Sequence, residues 1–305
     1  MKLAIIGAGA MGSLLGFYLC AEAEVWLLDP WQAHVDAMNA GGLVCELNGV
    51  TETRHPHATT NPAEIGLCDA VLVLVKAAQT PWAAAQARSL CGPTTLVVTL
   101  QNGVGNREIL AEQLGPEHVG QGVTALGATL LGPGHVRHAG QGTTIFSAAP
   151  ERAGMAALAA LFSACGLPAE LSDDLEALVW GKLVVNVGIN ALTALLRVPN
   201  GALAALPEAR ALMAAAVAEA VAVAQARGTL LPYSHPLEHV LAVARATGAN
   251  RSSMLQDVLR GSPTEISTIN GAVVREGLRW GVPTPVNQLL TQLVQALDVS
   301  AAQRV

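Results

Sequence analysis

Charged residues are scarce in this 305-residue sequence, where they make up 13% of the chain against 51% for hydrophobic residues. The formal net charge is −6, and lysine and arginine are nowhere clustered. A surface that binds nucleic acid or an anionic membrane needs such basic clusters. We therefore expect no nucleic acid and no membrane among the partners. The length allows one large or two ordinary domains with an ample core.

Paired cysteines and metal-binding spacings are also lacking. The eight histidines show no zinc-type spacing, and the cysteines are odd in number and without a C-x-x-C motif: Cys20, Cys45, Cys68, Cys91 and Cys165. This pattern favours free thiols in a reducing compartment and no metal. The chain begins with a strand-turn-helix pattern in place of a basic region and a cleavage site, so we expect no secretory signal and a cytoplasmic location.

Long uninterrupted apolar runs are absent as well. The most apolar helical stretch, Ala209–Ala226, carries Arg210, Glu219 and Gln225. These polar side chains favour a core helix of a bundle over a membrane span.

A glycine-rich turn is the first feature that points to a function. A short apolar strand, Lys2–Ile6, leads into a six-residue turn and then a helical pattern: Gly7, Ala8, Gly9, Ala10, Met11 and Gly12. In this context the first glycine permits the tight turn, the second lets the backbone approach a pyrophosphate, and the third lets the helix pack on the strand. The helix N-terminus then offers free N–H donors. The turn therefore predicts a dinucleotide-binding site.

An acidic residue, Asp29, ends the next predicted strand, Glu24–Leu28. A carboxylate here accepts hydrogen bonds from the adenosine ribose hydroxyls of NAD and repels the 2′-phosphate of NADP, which needs an arginine. No arginine or lysine follows closely, so the sequence favours NAD. The alternative interpretation is a solvated acid at a strand end.

Two further apolar strands, Ala70–Val75 and Thr95–Leu100, are separated by helical stretches, which indicates a parallel sheet covered on both faces. Ligands bind beyond the carboxyl ends of such strands. Lys76 and Asn102 stand at those ends. We expect Lys76 near a cofactor phosphate or ribose, and Asn102 near the nicotinamide ribose or the substrate. A surface lysine and an Asn-Gly turn are the alternatives.

Later strands are predicted at Gly120–Ala128 and Val136–Phe146, as a hairpin that closes the sheet. A helix at Glu151–Cys165 and an edge strand at Leu167–Leu171 follow.

From about Asp173 onward the strand patterns disappear. Long Ala/Leu/Val-rich helical runs take over, at Pro207–Arg227, Pro232–Thr247, Asn250–Arg260, Thr264–Trp280 and Pro285–Leu297. The sequence thus predicts an α/β fold in two parts. Residues 1–172 form a Rossmann-type dinucleotide-binding domain and residues 173–305 an all-helical domain, with the site expected in the cleft between them.

One predicted helix of the second part carries a polar stripe on an otherwise apolar surface. Lys182, Asn186 and Asn190 stand at i, i+4 and i+8, so they drift by only about 40° and rise about 6 Å per step. Polar groups on a buried helix need partners, because unpaired ones cost several kcal/mol. They face a ligand site, or they belong to a satisfied core network, or the lysine snorkels to the surface.

Taken together, these motifs resemble the ketopantoate reductase (2-dehydropantoate 2-reductase) family over essentially the whole chain. The segments that carry the resemblance are Gly7–Gly12, Gln101–Gly105, Lys182–Asn190, Pro199–Gly201, Ser252–Asp257 and Thr264–Gly271. The resemblance implies reduction of ketopantoate to pantoate by a nicotinamide cofactor, a step towards coenzyme A.

The resemblance also implies residue roles. Lys182 matches the catalytic lysine, and Glu265 matches an acid that contacts the lysine or the cofactor. Substrate-binding positions match Asn186, Asn190, Asn200 and Ser253, and cofactor-contacting positions match Asn102 and Lys76. The departure is Asp29, because typical members carry an arginine near here and use NADP.

Two other functions remain open at this stage. A related NAD(P)-dependent 2-oxo acid, hydroxyacid or polyol-phosphate dehydrogenase would share the two-part organisation, although a phosphate-bearing substrate calls for basic residues that the Lys182 helix lacks. A non-catalytic dinucleotide-binding protein would keep only the glycine turn. In such a protein, mutation without selection for catalysis would be expected to remove a buried charge pair such as Lys182 with Glu265, because the pair costs stability. The presence of the pair therefore argues against a non-catalytic protein. The apolar helices also leave room for a homodimer.

Overall fold

Two compact units make up the computed structural model, which describes residues 1–300. The first, here called the α/β unit, contains Met1–Gln101 and Asn106–Leu175. The second, the helical unit, contains Asn102–Gly105 and, of the described chain, residues 176–300.

Twelve strands lie in the α/β unit: β1 Lys2–Ile6, β2 Glu24–Leu28, β3 Leu43–Leu47, β4 Val50–Arg54, β5 His57–Thr59, β6 Cys68–Val73, β7 Cys91–Thr99, β8 Val119–Thr124, β9 Gly127–Gly132, β10 His135–Gly140, β11 Thr144–Ser147 and β12 Ala169–Ser172. Its helices are α1 Ala10–Leu19, α2 Gln32–Gly41, α3 Thr80–Arg88, α4 Asn106–Leu114 and α5 Arg152–Ala164.

The main sheet has eight strands in the order β12-β11-β8-β7-β6-β1-β2-β5. The six strands from β8 to β5 run parallel, with Leu3 of β1 opposite Val25 of β2 and Ala70 of β6. This order is that of a dinucleotide-binding Rossmann sheet. Parallel strands need cover on both faces, and two apolar clusters supply it here: α1 and α5 contribute to one, α3 and α4 to the other. The α/β expectation is confirmed.

The predicted closing hairpin is only partly correct. Strand β11 does pair antiparallel with β8, with Phe146 opposite Gly122. The intervening residues, however, form a separate hairpin, β9 and β10, in a second, four-stranded sheet of order β4-β3-β10-β9. The β3–β4 hairpin was not predicted. Apolar patterning signals a strand but not which sheet it joins, because that choice depends on contacts distant in sequence.

The helical unit consists of α6 Leu175–Leu196, α7 Asn200–Ala205, α8 Pro207–Ala226, α9 Pro236–Ala246, α10 Ser253–Arg260, α11 Asn270–Trp280 and α12 Pro285–Val299. Its core is apolar around α6, where Gly188 lets α6 approach Val217 of α8 and Val240 of α9 closely. The predicted helix over 264–280 is interrupted. A 3₁₀ turn covers Ile266–Thr268, and α11 begins only at Asn270.

Two of these helices, α6 and α8, are long and apolar enough to cross a membrane by length and composition alone. In α6, 72% of the most apolar window is buried inside the protein, and in α8 39% is. Core helices pass the same test. Glu219 of α8 also accepts hydrogen bonds from the backbone N–H groups of Val286 and Asn287, at the start of α12. This carboxylate therefore caps a neighbouring helix.

Candidate functional site

The glycine turn after β1 has the shape that its motif predicts. Gly7 has φ +97°, and a Cβ there would lie 2.7 Å from the Val75 nitrogen. A Cβ on Gly12 would lie 1.9 Å from the Gly7 carbonyl oxygen, so α1 packs directly on the turn. Gly9 is different, because a Cβ there would meet no atom within 4 Å. The turn therefore has tight packing behind it and open space in front of Gly9.

The N-terminus of α1 opens onto the same turn. Gly9 is its N-cap residue, without a side-chain cap, and no acidic residue stands in the first turn. The first N–H groups of a helix lack intrahelical partners and favour anions. The donors, the open space at Gly9 and the strand order together fit the pyrophosphate of a dinucleotide.

Asp29 lies against this turn. Its Oδ2 accepts a hydrogen bond from the Ala8 N–H at 2.8 Å, and its Oδ1 accepts one from the Trp31 N–H at 2.9 Å. The carboxylate therefore holds the turn and the chain after β2 together. Each oxygen retains a lone pair that can accept a ribose hydroxyl.

A buried histidine that the sequence did not assign to the turn also holds it. The Gly134 N–H donates to His34 Nδ1 at 2.8 Å, so the proton lies on Nε2, which donates to the Ala8 carbonyl oxygen at 2.9 Å. Ser13 Oγ donates to the same carbonyl. Burial lowers the pKa of His34, which favours this neutral form. Only the fold reveals this role, because Gly134 is 100 residues away in the chain.

Above His34, the ring of Trp31 stacks at 5.1 Å between centroids and is 43% exposed. Lys76, half-buried, follows β6 and begins the 3₁₀ turn Ala77–Gln79. Gln101, two residues after the end of β7, is buried, and its Nε2 donates to the Val75 carbonyl at 2.8 Å. The Gln101 hydrogen bond thus joins the segments that follow the neighbouring strands β6 and β7.

In the helical unit, Lys182 and Glu265 form the charged part of the site. Lys182 is half-buried on α6, and Glu265 is 7% exposed just before the 3₁₀ turn. Desolvation lowers the pKa of Lys182 to about 8, while the Glu265 charge pulls it back upward. Asn102 Nδ2 lies 3.5 Å from Glu265 Oε2. The structure thus groups Asn102 with the acid and the lysine.

The two amides of the polar stripe lie further along the same helix. Asn190 is only 5% exposed and Asn186 is half-buried. Within residues 1–300, neither side chain makes a hydrogen bond. A core network would satisfy them, so the structure does not support that interpretation of the stripe. The two amides are therefore left for water or a ligand to pair with.

Asn200 and Ser253 make local contacts of their own. Asn200 Nδ2 donates to Thr247 Oγ1 at 2.9 Å, whereas its buried Oδ1 has no partner within the described chain. Ser253 is exposed at the first position of α10. The cap of that helix is Ser252, whose Oγ accepts the Leu255 N–H at 3.1 Å. The Ser253 hydroxyl is therefore not used as the cap.

Among residues 1–300 no group of three or more His, Cys, Asp or Glu side chains is placed to hold a metal ion. All five cysteines are free thiols.

Two family models together match most of the chain. Residues 3–151 match the model described as ketopantoate reductase PanE/ApbA, and residues 174–298 match its C-terminal counterpart. Among curated proteins, the 2-dehydropantoate 2-reductase of Halobacterium salinarum is 38% identical over 299 residues, covering 97% of this chain and 98% of the relative.

Solved structures agree with these matches. A PanE/ApbA family ketopantoate reductase from Ralstonia eutropha is 36% identical with a TM-score of 0.91, over 99% of this chain and 100% of that one. A ternary structure of D-mandelate dehydrogenase with NADH and anilino(oxo)acetate is 32% identical with the same TM-score of 0.91, over 99% and 100% of the two chains.

Proposed function

Because this chain belongs to the ketopantoate reductase family, we propose that it reduces the 2-oxo group of ketopantoate to pantoate with a nicotinamide cofactor, in the cytoplasm and for pantothenate biosynthesis. One feature of the molecule carries the proposal. Lys182, with its pKa lowered to about 8, lies near the carboxylate of Glu265 on α6, whose side-chain amides Asn186 and Asn190 make no hydrogen bond within residues 1–300. An ammonium group in this state is a proton donor matched to neutral pH.

The α/β unit supplies the cofactor-binding residues in this proposal. The backbone of Gly7–Gly12 and the N-terminus of α1 hold the pyrophosphate, and Asp29 accepts the adenosine ribose hydroxyls. Lys76 and Asn102 contact phosphate or ribose groups. When bound, the nicotinamide supplies the hydride that turns the ketone into an alcohol.

Lys182 acts on the substrate oxygen. Negative charge develops on the ketone oxygen as the carbon is reduced, and a positioned ammonium stabilises that charge and donates its proton. Glu265 keeps the lysine protonated in a site where desolvation opposes the charge. After turnover, Lys182 takes a proton back from solvent.

Neutral side chains hold the substrate in this proposal. The amides of Asn186 and Asn190 donate to its carboxylate or hydroxyl without adding charge, and Asn200 Oδ1, which has no partner within the described chain, accepts from its hydroxyl. Ser253, whose hydroxyl is not needed as a helix cap, binds the carboxylate beside the first N–H groups of α10.

We propose NADH as the preferred cofactor. Asp29 lies against the glycine turn, no arginine follows it closely in the sequence, and a 2′-phosphate beside this carboxylate meets like charge. His34 does not replace the arginine, because it is buried and neutral and both ring nitrogens are bonded.

The test is the initial rate of ketopantoate reduction with NADH and NADPH, side by side. We expect turnover with a clear preference for NADH. Preference for NADPH would keep the reaction and refute the role of Asp29. Absence of turnover with both would refute ketopantoate as the substrate.

A second candidate is the NADH-dependent reduction of a different 2-oxo acid. It is favoured by the similarity to D-mandelate dehydrogenase, which was solved with NADH and anilino(oxo)acetate. The same lysine chemistry serves any 2-oxo acid, so the two candidates differ only in side-chain recognition. A kcat/KM for phenylglyoxylate above that for ketopantoate would decide for this candidate.

A further inference from the structure

A four-residue segment, Asn102–Gly105, packs with the helical unit although the chain on both sides of it belongs to the α/β unit. The segment lies against the 3₁₀ turn Ile266–Thr268, which directly follows Glu265. The Val104 N–H donates to the Thr268 carbonyl oxygen at 3.1 Å. The backbone of one segment thus rests on the backbone of the other.

Gly103 makes this approach possible. A Cβ at Gly103 would lie 2.2 Å from the Thr268 carbonyl oxygen and 2.8 Å from its carbon, and Gly103 has φ +86°. Real Cβ atoms do not come so close to a backbone oxygen, and a rigid carbonyl cannot rotate away as a side chain can. Any larger residue therefore has to displace Thr268.

Displacing Thr268 moves Glu265, because the two residues are tied through the turn. The Thr268 N–H donates to the Glu265 carbonyl at 3.1 Å, and the Thr268 hydroxyl donates to the same oxygen at 3.2 Å. The Ile269 N–H donates there as well. The Glu265 backbone is thus held from its C-terminal side by the residue that Gly103 touches.

Arg275 of α11 reinforces this contact. Its Nη1 donates to the Ser267 carbonyl at 2.6 Å, and its Nη2 donates to the Val104 carbonyl at 3.5 Å. One guanidinium therefore bridges the two segments, a geometry that its planar fork of donors suits.

We propose that Gly103 is a positioning residue, which holds the Glu265–Thr268 turn in place, and with it the Glu265 carboxylate beside Lys182 and Asn102. The inference rests on the proposed function, because it assigns Glu265 the task of keeping Lys182 protonated. Glu265 is the charged group that acts on Lys182 within the described chain. A displaced Glu265 therefore leaves the lysine easier to deprotonate.

The experiment compares Gly103→Ala with Gly281→Ala. Gly281 has φ +70° and nothing within 4 Å of a Cβ, so its alanine has the same backbone strain without the collision. Glu265→Gln is the reference for a lost carboxylate. Two quantities are measured: the pH dependence of kcat, and the titration of Lys182 in the free protein, followed by NMR of its ε-methylene group. The ε-methylene signal of Lys182 is identified as the one that disappears in Lys182→Arg.

We expect Gly103→Ala and Glu265→Gln to shift the Lys182 titration and the alkaline limb of kcat to lower pH. The kcat of Gly103→Ala should fall by about 10- to 100-fold, with the KM for NADH within about twofold of the wild type, because a displacement near 1 Å costs on this scale. Gly281→Ala should match the wild type. Equal profiles for the two alanine variants would overturn the proposal.

Arg275→Ala tests the same contact by removing a side chain, should Gly103→Ala fail to fold. Its control is Arg279→Ala, which removes the same charge one helical turn on, where the closest carboxylate, Glu276, is 3.9 Å away. We expect the same downward shift, smaller, in Arg275→Ala only. A shift in neither arginine variant would overturn the role of the contact.

The NMR titration separates this proposal from the proposed function. If the wild-type protein shows no turnover but the Lys182 titration shifts in Gly103→Ala, the reaction is refuted and the positioning role is retained. Turnover by the wild-type protein together with an unshifted Lys182 titration in Gly103→Ala would retain the reaction and refute the positioning role.

Discussion

The α/β unit and the helical unit present polar groups of opposite kinds. The glycine turn of the α/β unit offers backbone N–H groups, and its own side-chain neighbours, Asp29 and His34, are already hydrogen-bonded. The polar stripe of α6 offers side chains, and Asn186 and Asn190 lack partners within the described chain. The glycine turn thus leaves backbone N–H groups for a ligand to satisfy, whereas the polar stripe leaves side-chain amides. We therefore expect the glycine turn to be sensitive to added side-chain atoms, and the polar stripe to be sensitive to replacement of its functional groups.

The largest effect should come from Lys182→Ala. We expect kcat to fall by about 1,000-fold. The variant loses both the proton donor and the positive charge that stabilises the developing negative charge on the ketone oxygen. The fold should persist, because alanine is the best helix former and a desolvated charge is removed. Lys182→Arg is the control: it keeps the charge but is a poor acid. Turnover within tenfold of the wild type in Lys182→Ala would exclude the catalytic role.

The glycine turn can be broken in two distinguishable ways. Gly9→Ala adds a methyl group where no protein atom lies within 4 Å, so thermal stability should hold while NADH affinity falls by at least about tenfold. Gly12→Ala collides with the Gly7 carbonyl oxygen, so it should lower the free energy of unfolding by about 2–3 kcal/mol. Fluorescence titration with NADH and thermal unfolding separate the two. Unchanged affinity in Gly9→Ala would place the pyrophosphate elsewhere.

The kcat should show a simple pH dependence that follows the protonation of Lys182. Lys182 must be protonated to donate, and its pKa is about 8. We therefore expect kcat for reduction to be flat below pH 8 and to fall about tenfold per unit above it. The contribution of Lys182 to the free energy of unfolding changes with pH in the opposite direction to kcat. The folded pKa lies below the unfolded value, so the unfolded chain binds more protons between pH 8 and 10.5, and this group favours folding more as the pH rises. An alkaline limb above pH 10 would contradict the assignment.

The smallest effect compares Asn190, whose side chain makes no hydrogen bond within residues 1–300, with a buried asparagine that is hydrogen-bonded. Asn190→Ala should raise the KM for the 2-oxo acid about five- to tenfold and change the free energy of unfolding by less than about 1 kcal/mol. Asn287 is the matched control, because it is fully buried, accepts from Asn270 and donates to the Ala216 carbonyl. Asn287→Ala should cost about 2–3 kcal/mol without a specific effect on KM. Equal destabilisation by both would show that Asn190 is a core residue.

Local sequence patterns predicted the elements that depend on nearby residues. The strand, turn and helix of residues 2–19 follow from apolar runs and three glycines, because each requirement is met within a few residues. The stripe Lys182, Asn186 and Asn190 follows from helical periodicity for the same reason. The second sheet did not follow, because β3 pairs with β10 about 90 residues later.

The sequence of this protein was enough to establish its two-part organisation, its glycine turn and the helix that carries its lysine, since those depend on spacing along the chain. Only the tertiary structure decided which polar groups are satisfied. His34 is bonded to a glycine 100 residues away, Asn102 approaches an acid 163 residues away, and Gly103 touches Thr268. Hydrogen bonds and steric contacts act over a few ångströms in space, so separation along the chain carries no record of them.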